Sequence, residues 1–157
     1  MIRARSHGLT LIEVVIVLLL IGLASTMVVG TIDSTRRSAD TEIDRLALAL
    51  ETAAERARIR GTPIRFERFP QGYRFSWFDT SGNWQPVVDD PLLAERNLPG
   101  DVVLGRLSRE GQEVTGPLVF GSDVTLYTLD ILSGSGPMEL VAQPTGTLRK
   151  VAGTGAA

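Results

Sequence analysis

A long run of hydrophobic residues extends from Leu9 to Val29 near the start of the chain. The polar or small residues that interrupt this run are Thr10, Glu13, Gly22, Ser25 and Thr26. A helix rises about 1.5 Å per residue, so about 20 residues cross the hydrocarbon core of a bilayer. We therefore predict that residues 9–29 form a helix that spans a membrane once.

Residues 1–8, which precede this run, are polar and basic, with Arg3 and Arg5 and no acidic residue. Because positive charge is retained on the cytoplasmic side, the residues after Gly30 are predicted to lie across the membrane. In an ordinary secretory signal the cleavage site follows the apolar run, whereas here the small residue Gly8 precedes it. Cleavage at Gly8 would remove residues 1–8 and leave the membrane helix on the mature protein.

The helical pattern continues over residues 30–60. Hydrophobic residues recur there at alternating steps of four and three, which is the period of one helix face. The residues of this stripe are Ala39, Ile43, Leu46, Leu50, Ala53 and Ala57. Gly61 and Pro63 are typical of a helix end. We predict that residues 30–60 form an amphipathic half of the helix, whose apolar stripe packs on the domain formed by the rest of the same chain.

From Ile64 the hydrophobic period changes to two, which indicates strands. Residues 64–67 and 73–77 flank Pro70-Gln71-Gly72, a pattern typical of a β-hairpin. Residues 79–101 are rich in turn formers and are predicted to be a loop. Further strands are predicted at 102–107, 114–120, 124–131, 138–142 and 147–151, with a flexible turn at 133–137 and a loose tail at 153–157. The predicted fold class is α+β: a long N-terminal helix packed on an antiparallel β-sheet head at residues 61–157.

The composition is that of an ordinary globular protein, with 43% hydrophobic and 22% charged residues. Cysteine is absent, which excludes disulfides and thiolate metal sites. The single histidine, His7, lies in the segment that cleavage at Gly8 would remove, so the mature chain lacks the commonest general base. The sequence also lacks a glycine-rich phosphate loop and metal-ligand spacing. We therefore predict that the protein is not an enzyme and needs no cofactor or metal.

Two groups of residues in the head are candidates for binding. Asp89 and Asp90 offer oxygen ligands that suit calcium, but the alternating acids of a calcium loop do not follow, so a solvated turn is favoured. Trp77 and Trp84 are candidates for a binding platform. A strand aromatic is more often part of the core, which is the prediction for Trp77, whereas Trp84 fits either interpretation.

Nucleic acid is not an expected partner. The net charge of −2 gives no global attraction to phosphate, and loss of Arg3 and Arg5 makes the mature chain more acidic. Arg149 and Lys150 are a possible DNA contact near the C-terminus. Two basic residues supply only a small phosphate-binding contribution, however.

Glu13 is the only acid within the apolar run, and after cleavage at Gly8 it lies about one helical turn from the new amino terminus. A carboxylate inside a membrane is costly, which makes it a functional candidate. One interpretation is that Glu13 lies near the interface and reaches towards headgroups. The other is that it pairs with the free α-amino group of a neighbouring copy of a similar helix, which would set the axial offset between packed helices.

The start of the chain resembles the prepilin signature of type IV pilins and type II secretion pseudopilins. The resemblance lies in Gly8-Leu9-Thr10-Leu11-Ile12-Glu13, which follow a short basic leader and begin the apolar run. In that family an inner-membrane prepilin peptidase cuts after the glycine and methylates the new amino terminus. The resemblance implies cleavage between Gly8 and Leu9, N-methylation of Leu9, and a role for Glu13 as the assembly carboxylate. Phenylalanine is commonest at the position of Leu9, but the peptidase chiefly requires the glycine.

Several segments of the head resemble the H-type minor pseudopilins of type II secretion. They are residues 53–64, 72–75, 83–86, 118–122 and 145–148. The resemblance implies a type IV pilin-like fold and a structural subunit in the tip complex of the periplasmic pseudopilus, which drives export of folded proteins across the outer membrane. It also implies a single-pass protein of the bacterial inner membrane whose head lies in the periplasm.

The partners implied by the resemblance are the I-, J- and K-type minor pseudopilins, the G-type major pseudopilin, prepilin peptidase, and inner-membrane lipid before assembly. FimT- and FimU-like minor pilins of type IV pili share the same arrangement of leader, helix and head. A minor pilin, with or without a role in DNA uptake, is therefore the alternative that the sequence leaves open.

Overall fold

The computed structural model describes the backbone of residues 11–153 and the side chains of residues 11–21 and 38–153. One helix, α1 (Leu11–Arg60), precedes the strands of the head. The chain divides into two compact units, Met1–Thr35 and Arg36–Ala157. The predicted order, a long N-terminal helix followed by an antiparallel β head, is confirmed.

No helix in the described part of the chain is both long enough and apolar enough to cross a membrane. The span predicted over residues 9–29 includes residues 9 and 10 and the side chains of 22–29, which lie outside the described residues. The span therefore stays a prediction.

α1 ends at Arg60 because the residues that follow cannot continue it. Gly61 has a φ of 63°, a left-handed conformation that glycine adopts without strain. Pro63 has no N–H to donate to a helical hydrogen bond. Arg58 and Arg60 lie in the last turn, where cations complement the helix dipole. The helix end predicted from Gly61 and Pro63 is confirmed.

The apolar stripe of α1 forms one side of the head core. All of its predicted members are buried, with exposures of 1% or less: Ala39, Ile43, Leu46, Leu50, Ala53 and Ala57. They cluster with buried residues of both sheets, such as Phe66, Tyr73, Leu129 and Leu140. Each fully buried Leu or Phe side chain stabilises the fold by about 1.5–3 kcal/mol. The prediction that the stripe packs on the head of its own chain is confirmed.

The head contains two antiparallel sheets. Its strands are β1 (Ile64–Phe69), β2 (Gly72–Phe78), β3 (Trp84–Pro86), β4 (Arg96–Asn97), β5 (Val103–Arg109), β6 (Gln112–Glu113), β7 (Leu118–Phe120), β8 (Thr128–Ser133), β9 (Gly136–Ala142) and β10 (Leu148–Ala152). The first sheet has the order β3-β2-β1-β7, and β4 also pairs with β2. The second sheet has the order β10-β9-β8-β5-β6.

The predicted hairpin is confirmed, since β1 pairs with β2 from Ile64–Trp77 to Phe69–Gly72. Only glycine fits at Gly72, because a Cβ there would lie 2.0 Å from the carbonyl oxygen of Arg96 in β4. The first sheet can therefore hold β4 against β2 only while residue 72 has no side chain.

Some predicted boundaries are wrong. Residues 79–101 contain the short strands β3 and β4, which exist because they pair with the edge of β2. The strand predicted over 114–120 is limited to β7 at its end, and β6 lies before it. The strand predicted from residue 124 begins at Thr128 as β8. The turn predicted over 133–137 is shorter, because the Ser133 hydroxyl donates to the Gly136 carbonyl oxygen at 3.2 Å and tightens it.

Candidate assembly site

Glu13 is the acidic residue in the first turn of α1. Its side chain is exposed. The first turn of a helix has N–H groups without intrahelical acceptors, and the resulting partial positive charge favours a carboxylate there. Gly8 and Leu9, the predicted cleavage and methylation sites, lie outside the described residues. Their roles stay predictions.

The hydrophobic side chains that surround Glu13 are exposed. They are Leu11, Ile12, Val14, Val15, Ile16, Val17, Leu18, Leu19, Leu20 and Ile21. These consecutive residues extend over about three helical turns, so they cover every face of this part of α1. A helix that is apolar on every face is stable in apolar surroundings, either lipid or neighbouring helices. In such surroundings Glu13 is the group that requires a polar partner.

In the second unit, an ion pair fixes the first sheet to α1. The Nε and Nη2 atoms of Arg96 donate to the two carboxylate oxygens of Glu42, at 2.6 Å each. The Glu42 side chain is 15% exposed and that of Arg96 is 37% exposed. The hydrogen bonds from Arg96 lower the pKa of Glu42, and the hydrogen bonds to Glu42 raise the pKa of Arg96. The pair holds β4, and with it the edge of β2, against the helix.

Acidic residues of α1 also contact β10, which is an edge strand of the second sheet. A carboxylate oxygen of Glu51 accepts the backbone N–H of Leu148 at 2.5 Å, which satisfies a donor that an edge strand would otherwise leave unpaired. Asp44 forms an ion pair with Lys150. One of the two basic residues considered as a DNA contact, Lys150, is thus paired with an acidic residue of its own chain.

Asp89 and Asp90 attach the loop before β4 to α1. The Nη2 atom of Arg56 donates to Asp89 at 2.6 Å, and its Nη1 atom lies 3.9 Å from Asp90. The hydrogen bond from Arg56 lowers the pKa of Asp89. Asp90 also accepts the backbone N–H of Leu92 at 2.9 Å, as in an Asx-turn. No group of three or more His, Cys, Asp or Glu side chains within the described residues is arranged to hold a metal ion.

The prediction that Trp77 belongs to the core is wrong, because its side chain is 37% exposed. Trp77 lies near the end of β2, opposite the buried Ile64, and its side chain lines a pocket that is open to solvent. Trp84 is half-buried; its ring lies 5.1 Å from that of Phe78, and the Arg65 guanidinium lies 4.7 Å from its centre. The tryptophans are therefore not stacked into one platform in the observed contacts.

Two arginines with structural roles were missed by sequence reasoning. Arg96 lies 54 residues from Glu42, and no local pattern links residues at such a separation. Arg68 joins the two sheets, since its guanidinium donates to the carbonyl oxygens of Gly105 and, at 3.2 Å, Val114. The sequence did contain a signal for Arg68. Residues two apart from Ile64 lie on one face of β1, so Arg68 is expected on the face that packs on the core.

Comparisons with known proteins agree with the resemblance seen in the sequence. A family model described as the prokaryotic N-terminal methylation motif matches residues 3–29. The type II secretion system protein H of Aeromonas hydrophila is 30% identical over 112 residues, which cover 69% of this chain and 61% of that protein. The chain thus spans less than two thirds of the length of this relative.

Two structures of the minor pseudopilin EpsH from the type II secretion system of Vibrio cholerae share the fold. The alignment with one of them has a TM-score of 0.57 at 22% identity and covers 73% of this chain and 97% of the EpsH chain. The other has a TM-score of 0.59 at 18% identity and covers 77% of this chain and 98% of that chain. The type IV pilin-like fold predicted from the sequence is therefore confirmed. The chain carries the prokaryotic N-terminal methylation motif, has the fold of a minor pseudopilin, and is similar to the H-type subunit of type II secretion.

Proposed function

We propose that this protein is a minor pseudopilin of type II secretion, a structural subunit of the periplasmic pseudopilus that drives export of folded proteins across the outer membrane. In this proposal prepilin peptidase cuts after Gly8 and methylates Leu9, and residues 9–29 hold the protein in the bacterial inner membrane before assembly. Residues 30–157 lie in the periplasm. The role is structural and requires no catalytic group.

The observation that carries the proposal is a single carboxylate, Glu13, in the first turn of α1, within a segment (residues 11–21) that is otherwise apolar on every face. The match of the methylation motif to residues 3–29 includes this position and supports processing at Gly8. The relative from Aeromonas hydrophila and the EpsH structures belong to type II secretion, so they favour secretion over the pilus alternative.

The proposed mechanism joins two charges on neighbouring subunits. Cleavage after Gly8 creates an α-amino group on Leu9, which lies about 6 Å from Glu13 along the helix axis, at about 1.5 Å per residue. When similar helices pack in apolar surroundings, the amino group of one helix and the carboxylate of the next stabilise each other only if the helices are offset by about that distance. The pair would thereby set the axial register in which this chain joins the other minor pseudopilins and the major pseudopilin.

The test is Glu13→Leu in the full-length protein. This substitution removes a charge from the apolar helix, which should ease membrane insertion by up to about 2–3 kcal/mol, and by less near the interface. We expect normal abundance in the membrane, but poor co-purification with the other minor pseudopilins and reduced secretion. Glu13→Asp should be intermediate, because the charge remains on a shorter side chain. Val14→Leu, an apolar change at the next residue, serves as the matched control and should behave as wild type.

Mass spectrometry separates processing from assembly. The mature wild-type protein should begin at an N-methylated Leu9, and Glu13→Leu should be cut at the same bond. Wild-type levels of co-purification and secretion in Glu13→Leu would refute the pairing mechanism. A mature amino terminus beyond residue 25 would instead indicate an ordinary signal peptide and would refute the proposed function.

A further inference from the structure

A pocket of about 340 Å³ opens beside the C-terminal end of α1, within the head. Its apolar lining comes from Ile64 in β1, Trp77 in β2 and Val88 in the loop that follows β3. Arg56, Arg60 and Asp89 supply its charged lining. This volume lies near the lower end of the range of about 300–1,000 Å³ that is typical of ligand pockets. It is suited to a side chain and the group next to it rather than to a large ligand.

Two of the three apolar residues of this pocket, Val88 and Trp77, are exposed, whereas Ile64 is buried. Val88 is 85% exposed, although its neighbour Val87 is buried and Asp89 is held by Arg56. The loop around Val88 is therefore fixed in place while the Val88 side chain projects into solvent. Trp77 is also exposed, although Phe75 on the same strand is buried. Large apolar side chains exposed together beside a concavity are typical of an interaction surface.

The charges around the pocket indicate what the occupant carries. Two arginines and one aspartate line it, and the aspartate accepts a hydrogen bond from Arg56. The exposed guanidinium of Arg60 then remains as the excess positive charge of the lining. An arginine binds a carboxylate through paired hydrogen bonds, which gives such contacts defined geometry. An apolar side chain with a carboxylate next to it would satisfy both parts of the lining.

We infer that this pocket receives an apolar side chain from the head of a neighbouring, different pseudopilin, next to an aspartate or glutamate that binds Arg60. The inference rests on the proposed function, because pseudopilus assembly is what brings another head into contact with this one. It adds a second contact to the pairing at Glu13, on the periplasmic head rather than on the N-terminal segment.

The first test is photo-crosslinking of the full-length chain in cells that express the complete secretion system. A photoreactive p-benzoylphenylalanine replaces Val88, and a second version carries it in place of Leu18, in the apolar segment near Glu13. The probe at position 88 should crosslink to another pseudopilin. Mass spectrometry of the crosslinked peptide should find an aspartate or glutamate within a few residues of the attachment point.

The second test reverses one charge at a time in the chain that carries the probe at position 88. Arg60→Glu should lower the yield of the crosslink about tenfold, since it replaces a charge-assisted hydrogen bond with repulsion. Arg58→Glu is the matched control. Arg58 lies in the same last turn, so its reversal changes the helix dipole interaction similarly, but Arg58 pairs with Glu55 and does not line this pocket. Its crosslink yield should stay within about twofold of wild type.

The outcomes separate the inference from the proposed function. A crosslink from position 18 without one from position 88 would leave the proposed function standing and overturn the inference. Three other results would also overturn the inference. The probe at position 88 could crosslink to a second copy of this chain, or to a peptide without an acidic residue. Arg60→Glu and Arg58→Glu could also lower the crosslink yield equally. Failure of both probes to crosslink any pseudopilin would overturn the proposed function and the inference together.

Discussion

The ion pair between Glu42 and Arg96 should contribute measurably to the stability of the head. Removing one partner of a fully buried pair costs about 3–5 kcal/mol, whereas exposed pairs contribute about 0.2–1 kcal/mol. Glu42 is 15% exposed and Arg96 is 37% exposed, so solvent screens the pair in part. The two hydrogen bonds of 2.6 Å have good geometry. We therefore expect a coupling energy of about 1–2 kcal/mol, between the buried and exposed limits.

A double-mutant cycle on residues 36–157, the unit that contains the whole core, measures this coupling. Glu42→Gln keeps the shape of the side chain and removes its charge, and Arg96→Met keeps much of the aliphatic stem. Urea denaturation gives the free energy of unfolding of the wild type, both single variants and the double variant. The exposed pair of Arg58 and Glu55 is the matched control and should show only about 0.2–0.5 kcal/mol of coupling.

The same pair predicts a pH dependence with a defined sign. The hydrogen bonds from Arg96 lower the pKa of Glu42 in the folded state below the ordinary glutamate value of about 4.3. The unfolded state therefore takes up a proton at higher pH than the folded state. The stabilisation is fully present well above about pH 4.3 and is lost as the pH falls through the lowered folded-state pKa. Wild type should consequently lose more stability between about pH 6 and pH 3 than Glu42→Gln does.

Either of two results would refute this reasoning. A coupling energy below about 0.5 kcal/mol would mean that the pair behaves as a fully exposed one despite its geometry. An equal loss of stability on acidification in wild type and in Glu42→Gln would mean that Glu42 has the same pKa in the folded and unfolded states.

Two further predictions concern the head. Gly72→Ala should lower the free energy of unfolding by about 2–3 kcal/mol in urea denaturation, because its Cβ would lie 2.0 Å from the Arg96 carbonyl oxygen. Gly116 has open space around it, so Gly116→Ala should change this free energy little. Equal effects of the two substitutions would contradict the close approach of β2 and β4. Calcium or a chelator should leave the melting temperature within about 1 °C, because Arg56 already binds Asp89 and repels a cation. A calcium-dependent rise of several degrees that Asp89→Asn abolishes would reveal a metal site.

The sequence predicted the parts of the fold that local periodicity determines. The stripe from Ala39 to Ala57 was recognisable because a helix places residues three and four apart on one face, and every predicted member is buried. The hairpin of β1 and β2 was recognisable because two alternating segments flank a short turn. In both cases the information lies within a few residues of the structure that it specifies.

The parts that the sequence did not predict depend on distant partners. β4 has two residues and exists because it pairs with the edge of β2, and its Arg96 reaches Glu42 far back in α1. Trp77 alternates correctly with Tyr73 and Phe75, yet it lines a pocket that is open to solvent and remains exposed. Periodicity indicates on which face of the sheet a side chain lies, but the elements packed on that face decide whether the side chain is buried.

Two glutamates on α1, Glu42 and Glu13, lie in different surroundings. Glu42 has its cation on the same chain, so its charge stabilises the folded head and its loss should appear in unfolding experiments. Glu13 lies among apolar residues, where its charge would disfavour transfer into a membrane by up to about 2–3 kcal/mol, and its position in the first turn would offset only about 0.3–1 kcal/mol of this through the helix dipole. In the proposed function, the partner that offsets this cost is the amino group of a neighbouring subunit. Glu42→Gln should therefore lower the stability of the isolated head, whereas Glu13→Leu, under the proposed function, should reduce co-purification with the other pseudopilins.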